Sequence, residues 1–94
     1  MLKFILITDE KVNTQVCPKV DFENFLEEAV GVNFGHRQLK ESVIIEDNIL
    51  SNINPLATKL FGRTLYGNIV VINKQDDEYF SLTDIQLEDL YENN

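Results

Sequence analysis

Three short runs of consecutive apolar, β-prone side chains divide this sequence: FILI at residues 4–7, VII at 43–45 and IVVI at 69–72. Runs of this length suit buried strands, and they are far too short for a membrane span or a signal sequence. The stretches between them carry helical spacing, so strands and helices must pack together in one core. Ninety-four residues allow a single domain, and a chain of that size buries about 60–65% of its unfolded surface. The apolar fraction of 44% is that of a globular protein rather than a disordered one.

The first strand is expected over residues 3–8. Residues 14–19 can hold a second, at an edge, because Pro18 lacks a ladder donor. Asp21 opens a helix: its carboxylate can cap the first turn, and Val20 and Phe25 are spaced as a hydrophobic staple. Phe22, Phe25, Leu26, Ala29 and Val30 form one apolar stripe, with Glu23, Glu27 and Glu28 turned to water. Gly31 stands where a helix stop is wanted. Residues 32–39 and 42–47 read as strands joined by a polar, hairpin-like link, and 48–53 as an irregular connection. Asn54 followed by Pro55 announces a short helix ended by Gly62, with Leu56, Leu60 and Phe61 inward. Residues 65–73 read as a central strand in which Gly67 marks a bulge or a close backbone approach. Residues 74–77 form a turn and 78–81 a returning strand. Thr83 and Gln86 have the spacing of a capping box, and Leu82 and Leu87 that of a staple. Leu87, Leu90 and Tyr91 give the last helix its inner stripe. The expected fold is one α+β domain over residues 1–94: a mostly antiparallel sheet with about three helices packed on one face.

Sixteen acidic residues against eight basic ones give a net charge of −8. The excess is concentrated late. Residues 1–73 carry −2, whereas residues 74–94 carry −6, with Lys74 alone against Asp76, Asp77, Glu78, Asp84, Glu88, Asp89 and Glu92. Such a chain is not expected to bind a phosphate backbone directly or to dock on an anionic membrane. The acidic block reads either as a solvated face or as a surface that imitates DNA phosphates. The single cysteine, Cys17, excludes an internal disulfide, and a soluble, cytoplasmic protein is expected.

Few residues offer chemistry. One His and one Cys cannot build a zinc site, and no metal or cofactor is expected. Cys17, beside Pro18, reads as a small buried apolar residue. His36, between Gly35 and Arg37, falls on a turn or strand edge, where it could hold an anion or sense pH. The glycines at 31, 35, 62 and 67 lack phosphate-loop spacing. Neighbouring carboxylates such as Glu46 and Asp47 point to opposite faces of a strand and make no acid–base pair. No catalytic residue, and hence no enzyme, is expected. One constellation stands out. Asn54 and Thr58 lie near the start of the short helix, and Arg63 and Thr64 follow it; together they could bind a phosphate or carboxylate, with Lys59 and Arg37 joining if the fold allows. Local capping by Asn54, packing around Ala57 and a surface arginine account for the same residues.

Residues 54–72, NPLATKLFGRTLYGNIVVI, resemble a family of small phage and mobile-element proteins known as a domain of unknown function. In that family an Asn-x-x-Ala-Thr helix leads into a glycine-containing strand; Asn54, Ala57, Thr58, Gly67, Val70 and Val71 match. The N-terminal half is similar in outline, with a strand, a helix ending in Val30 and Gly31, and a strand. The Ser-Leu-Thr-Asp-x-Gln run at residues 81–86 resembles the close of some members from Gram-positive hosts. The chain departs from the pattern at Val32, where members often have a second glycine, and Asn68 and the acidic tail have no counterpart. The resemblance implies a phage or prophage setting, the host cytoplasm and a shared fold, and it implies no reaction.

The expected function is therefore that of a small acidic, non-enzymatic effector that binds and modulates a host protein, including as a counter-defence inhibitor, with Asp84, Glu88, Asp89 and Glu92 as the contact. Two alternatives stand beside it: a DNA mimic that inhibits a nuclease or DNA-binding protein, and an oligomeric sponge for a nucleotide-like ligand held by Asn54, Thr58 and Arg63. The apolar edge near Val16, or the strand around Val43, Ile44 and Ile45, could pair with a second subunit unless covered internally.

Overall fold

A computed structural model of the chain describes residues 1–48 and 52–92. Among them, six strands and three α-helices follow in the order β1 (Leu2–Ile7), β2 (Val12–Cys17), α1 (Phe22–Ala29), β3 (Phe34–Gln38), β4 (Ser42–Asp47), α2 (Pro55–Phe61), β5 (Ile69–Gln75), β6 (Glu78–Phe80) and α3 (Asp84–Glu92). The fold is α+β. Every strand pairing is antiparallel, and the sheet runs β2-β1-β5-β4-β3. β1 meets β5 only through Ile5, Leu6 and Ile7. Toward the other end the two strands part, and β6 fills the wedge. It pairs with β5 from Asn73↔Phe80 to Gln75↔Glu78. On its other side Leu82 N donates to Lys3 O at 2.8 Å and Lys3 N donates to Ser81 Oγ at 2.9 Å.

The three apolar runs occupy the three central strands, and their side chains alternate between two buried faces. Leu2, Phe4, Val43, Ile45, Val70 and Ile72 pack against Phe22, Leu26 and Val30 of the α1 segment. Ile5, Ile7, Ile44, Ile69 and Val71 pack against Ala57 of α2, Leu65, and Leu82 at the start of α3. The helices expected on one face are thus divided between both. The reason lies in the runs: a strand that is apolar at every position has two faces to cover. The strand of Val43, Ile44 and Ile45 is covered internally, between β3 and β5. β2 stands at the edge of the sheet, as Pro18 suggests.

Local signals set most element ends. Asn54 Oδ1 accepts from Ala57 N at 3.0 Å, Pro55 occupies the first position of α2, and Gly62 ends the helix at φ 68°. Both bonds of the capping box form at α3: Gln86 N to Thr83 Oγ1 at 3.2 Å and Thr83 N to Gln86 Oε1 at 2.8 Å. The start of α1 departs from expectation. A 3-10 turn, Lys19–Asp21, leads into it, Asp21 makes no side-chain cap, and Val20 is 87% exposed rather than stapled to Phe25. Within the turn Asp21 N donates to Pro18 O at 2.9 Å and Phe22 N donates to Lys19 O, and Asp21 sits at φ −97°, ψ −2° rather than in the extended state typical of a capping residue.

β5 begins at Ile69, not at residue 65. Gly67 (φ 70°) donates to Asn52 O at 2.9 Å and turns the chain into the sheet. The β5–β6 turn consists of Asp76 and Asp77, with Asp76 at φ 56°, a backbone state that aspartate tolerates in tight hairpins. The irregular connection expected over residues 48–53 runs through 49–51, which lie outside the described residues. Among the described residues, no helix is long and apolar enough to cross a membrane.

Candidate functional site

Helix α3 presents the densest charge. Asp84, Glu88, Asp89 and Glu92 are all exposed. Ile85 stands among them, 72% exposed; its spacing to residues 88, 89 and 92 puts it on one stripe with three carboxylates. The opposite side of the helix is held to the sheet. Leu82 is buried, and Leu87 and Leu90 pack beside it. Gln86 exchanges two 2.8 Å amide hydrogen bonds with Asn73 of β5. Tyr91, though exposed, shares a 2.8 Å hydrogen bond with Thr14 of β2. Between the first turns of α3 and the β3–β4 turn runs an open groove of about 660 Å³, walled by Ile85 and Asp89 on one side and by Leu39, Lys40 and Glu41 on the other.

A second concavity, about 360 Å³, lies where β1 and β4 end, with Asp9, Asp47, Asn52, Asn54 and Asn68 on its wall. Two of its asparagines are structural. Asn54 is buried; Nδ2 donates to Ile7 O (3.0 Å) and Gly67 O (2.8 Å), while Oδ1 caps α2. Asn68 Nδ2 donates to Ala29 O at 2.9 Å. Among the described residues, no group of three or more His, Cys, Asp or Glu could hold a metal ion.

Two members of the polar constellation read around α2, Asn54 and Thr58, are taken up in structural hydrogen bonds. Thr58 Oγ1 accepts from Leu65 N at 3.0 Å and lies 3.4 Å from Leu65 O. Asn54 and Thr58 thereby tie the approach to β5 onto α2, in line with capping and packing. Arg63 is exposed and follows the C-terminal end of the helix. Arg37 is engaged elsewhere, by Glu46 at 2.5 Å.

His36 takes the strand-edge position. Its Nε2 lies 2.6 Å from Tyr79 Oη, and the two rings stack with centroids 5.9 Å apart. Burial against its neighbours, with a lesser push from Lys74, lowers the imidazole pKa. Burial, aided by Glu23, raises that of Tyr79. Cys17 is half-buried and contacts Pro18 O at 3.4 Å; burial raises its thiol pKa, and Asp21 adds to the rise. Sequence reasoning missed Ile85, which lies off the inner stripe, and the His36–Tyr79 pair, whose members are 43 positions apart. The isolation of an apolar residue within an acidic helix is the signal that could have found Ile85.

Comparison of the chain with protein-family models, with curated proteins and with solved structures yields no match in any of the three.

Proposed function

We propose that this chain is a small acidic, non-enzymatic effector of phage or prophage origin that binds and modulates a host protein in the host cytoplasm. The observation that carries the reading is the exposed face of α3, where Ile85 is surrounded by Asp84, Glu88, Asp89 and Glu92. An apolar anchor ringed by charge is the usual anatomy of a protein contact: the anchor supplies affinity, the rim steers and selects. Carboxylates on the rim favour a partner with an apolar recess in a basic surface. The phage setting rests on the resemblance carried by residues 54–72.

The test is native mass spectrometry of tagged protein recovered from host lysate at moderate salt, followed by affinity measurement with the captured protein. Combined Glu88→Lys, Asp89→Lys and Glu92→Lys is expected to weaken binding tenfold or more, an effect of about 1.4 kcal/mol or above, while the circular dichroism spectrum stays native. Ile85→Asp should weaken it independently. An unchanged dissociation constant in folded variants overturns the assignment of α3 as the contact. Release of the partner by duplex DNA would identify the contact as DNA mimicry.

A further inference from the structure

β2 is the one edge of the sheet that carries no charged side chain: its sequence is VNTQVC, whereas the opposite edge strand, β3, holds His36 and Arg37. Edge strands are ordinarily guarded by lysine, proline or a bulge. Here Pro18 lies just past the end of β2, and the register with β1 runs without a bulge from Leu2↔Cys17 to Ile7↔Val12.

The direction of the edge groups follows from β1. Lys3 spends its N–H and C=O on Ser81 and Leu82, and Ile7 O accepts from Asn54, all on the side away from β2. The bonds to β2 therefore come from the alternate residues Leu2, Phe4 and Leu6, whose partners are Cys17, Gln15 and Asn13. Val12, Thr14 and Val16 turn their N–H and C=O groups outward. Among the described residues no strand pairs with this edge. Side chains of these three residues share the α3 face, where Val12 joins the core and Val16 is 54% exposed.

We infer that β2 pairs antiparallel with β2 of a second copy, joining two six-stranded sheets into one. The edge is self-complementary about Thr14. A two-fold axis there sets Thr14 opposite Thr14 and Val12 opposite Val16 in both directions. Each opposed pair exchanges outward hydrogen bonds, and all are β-branched pairs of the kind that stabilise adjacent strands. Charge agrees with this register. Asp9 and Glu10 precede β2, and Lys19, which pairs with Glu78 of its own chain, follows it, so each copy brings its acidic turn alongside Lys19 of the other with no like-charge clash at that position. Because each chain carries −8 overall, added salt relieves repulsion between the copies and tightens the pair. That is opposite to the salt response of α3 with a basic partner, which keeps the two contacts distinguishable.

The experiment is sedimentation equilibrium on the whole chain. The expected species at high micromolar concentration has twice the 10.9 kDa chain mass. Thr14→Pro removes an N–H that points outward and leaves the bonds to β1 in place. Val16→Lys places a charge on the seam without touching the backbone. Both are expected to be monomeric with a native circular dichroism spectrum. If Thr14→Pro disturbs the fold, Val16→Lys alone decides. As a positive test, Thr14→Cys in a Cys17→Ser background should form a disulfide-linked dimer on mild oxidation, since opposed residues in such a pair sit about 5.5 Å apart at Cα. A native chain that stays monomeric at high micromolar concentration, or a dimer that survives both edge variants, overturns the inference.

Discussion

Asn73 and Gln86 hold each other through two amide hydrogen bonds of 2.8 Å, one in each direction, and so fix α3 to the central strand β5. Gln86 Oε1 accepts at the same time from Thr83 N, which makes one side chain both the helix cap and the helix dock. Gln86→Ala should therefore destabilise the protein by about 1–3 kcal/mol, the combined scale of a lost cap and an orphaned amide. Urea denaturation checks the magnitude. Hydrogen exchange checks the location, because amides of α3 should lose protection before those of β4.

Asn54 is the second polar residue on which the core depends. Replacing it with alanine leaves Ile7 O, Gly67 O and Ala57 N without their partner in a buried setting. The expected loss is roughly 2–4 kcal/mol. Asn54→Asp keeps the acceptor for Ala57 but loses both donors, so it should also be clearly destabilised. A small effect in both variants, read by thermal melting, would remove Asn54 from its structural role.

Glycine tolerance should differ sharply between two positions. A Cβ at Gly62 (φ 68°) meets nothing within 4 Å, so Gly62→Ala costs only the left-handed backbone, about 1 kcal/mol. At Gly31 (φ 141°) a Cβ lies 2.5 Å from Asp47 Oδ2 and 3.0 Å from its Cγ. Gly31→Ala should cost more, about 2–3 kcal/mol, chiefly from this backbone state, because the Asp47 carboxylate is a side-chain end that can move aside. Melting temperatures of the two variants give the comparison directly.

His36 should make stability depend on pH. With its proton on Nδ1, the ring accepts from the Tyr79 hydroxyl through Nε2. Its folded pKa is lowered, first by burial and then by Lys74. The unfolded chain therefore binds the proton more readily. The stabilisation is complete above the ordinary histidine value, about 6.5, and is lost as pH falls through that value toward the lowered one. A melting series across this window should show a decline that His36→Gln abolishes, while Tyr79→Phe should weaken it.

Much of this architecture was legible because its signals are local. The apolar runs marked β1, β4 and β5, the Asn54–Pro55 pair marked α2, and the Thr83–Gln86 spacing marked α3, each through contacts within a few residues. Continuous runs do not alternate polar with apolar, so they hid the fact that both faces of the sheet are covered. The 3-10 turn before α1 overrode the capping expected of Asp21, because it holds that residue at φ −97°, ψ −2°, outside the extended backbone state typical of a capping residue. Pairings such as His36 with Tyr79, or Thr14 with Tyr91, join residues 43 and 77 positions apart. Nothing in local periodicity encodes them. In the α2 constellation, Asn54 and Thr58 are taken up by capping and by the return of the chain at Leu65, bonds that residue spacing alone does not spell out.

The wedge occupied by β6 has a consequence for how the chain acquires its shape. One edge of β1 is satisfied early, by the hairpin to β2, but the other edge waits for β5 and for Ser81, which lies 78 positions beyond Lys3, and for Leu82. During synthesis, a strand that is apolar on both faces must stay half-paired while most of the sequence is still being made. Such long-range closure slows folding. A nascent chain that has not yet reached β5 presents the open hydrophobic edge of β1 to chaperones and proteases.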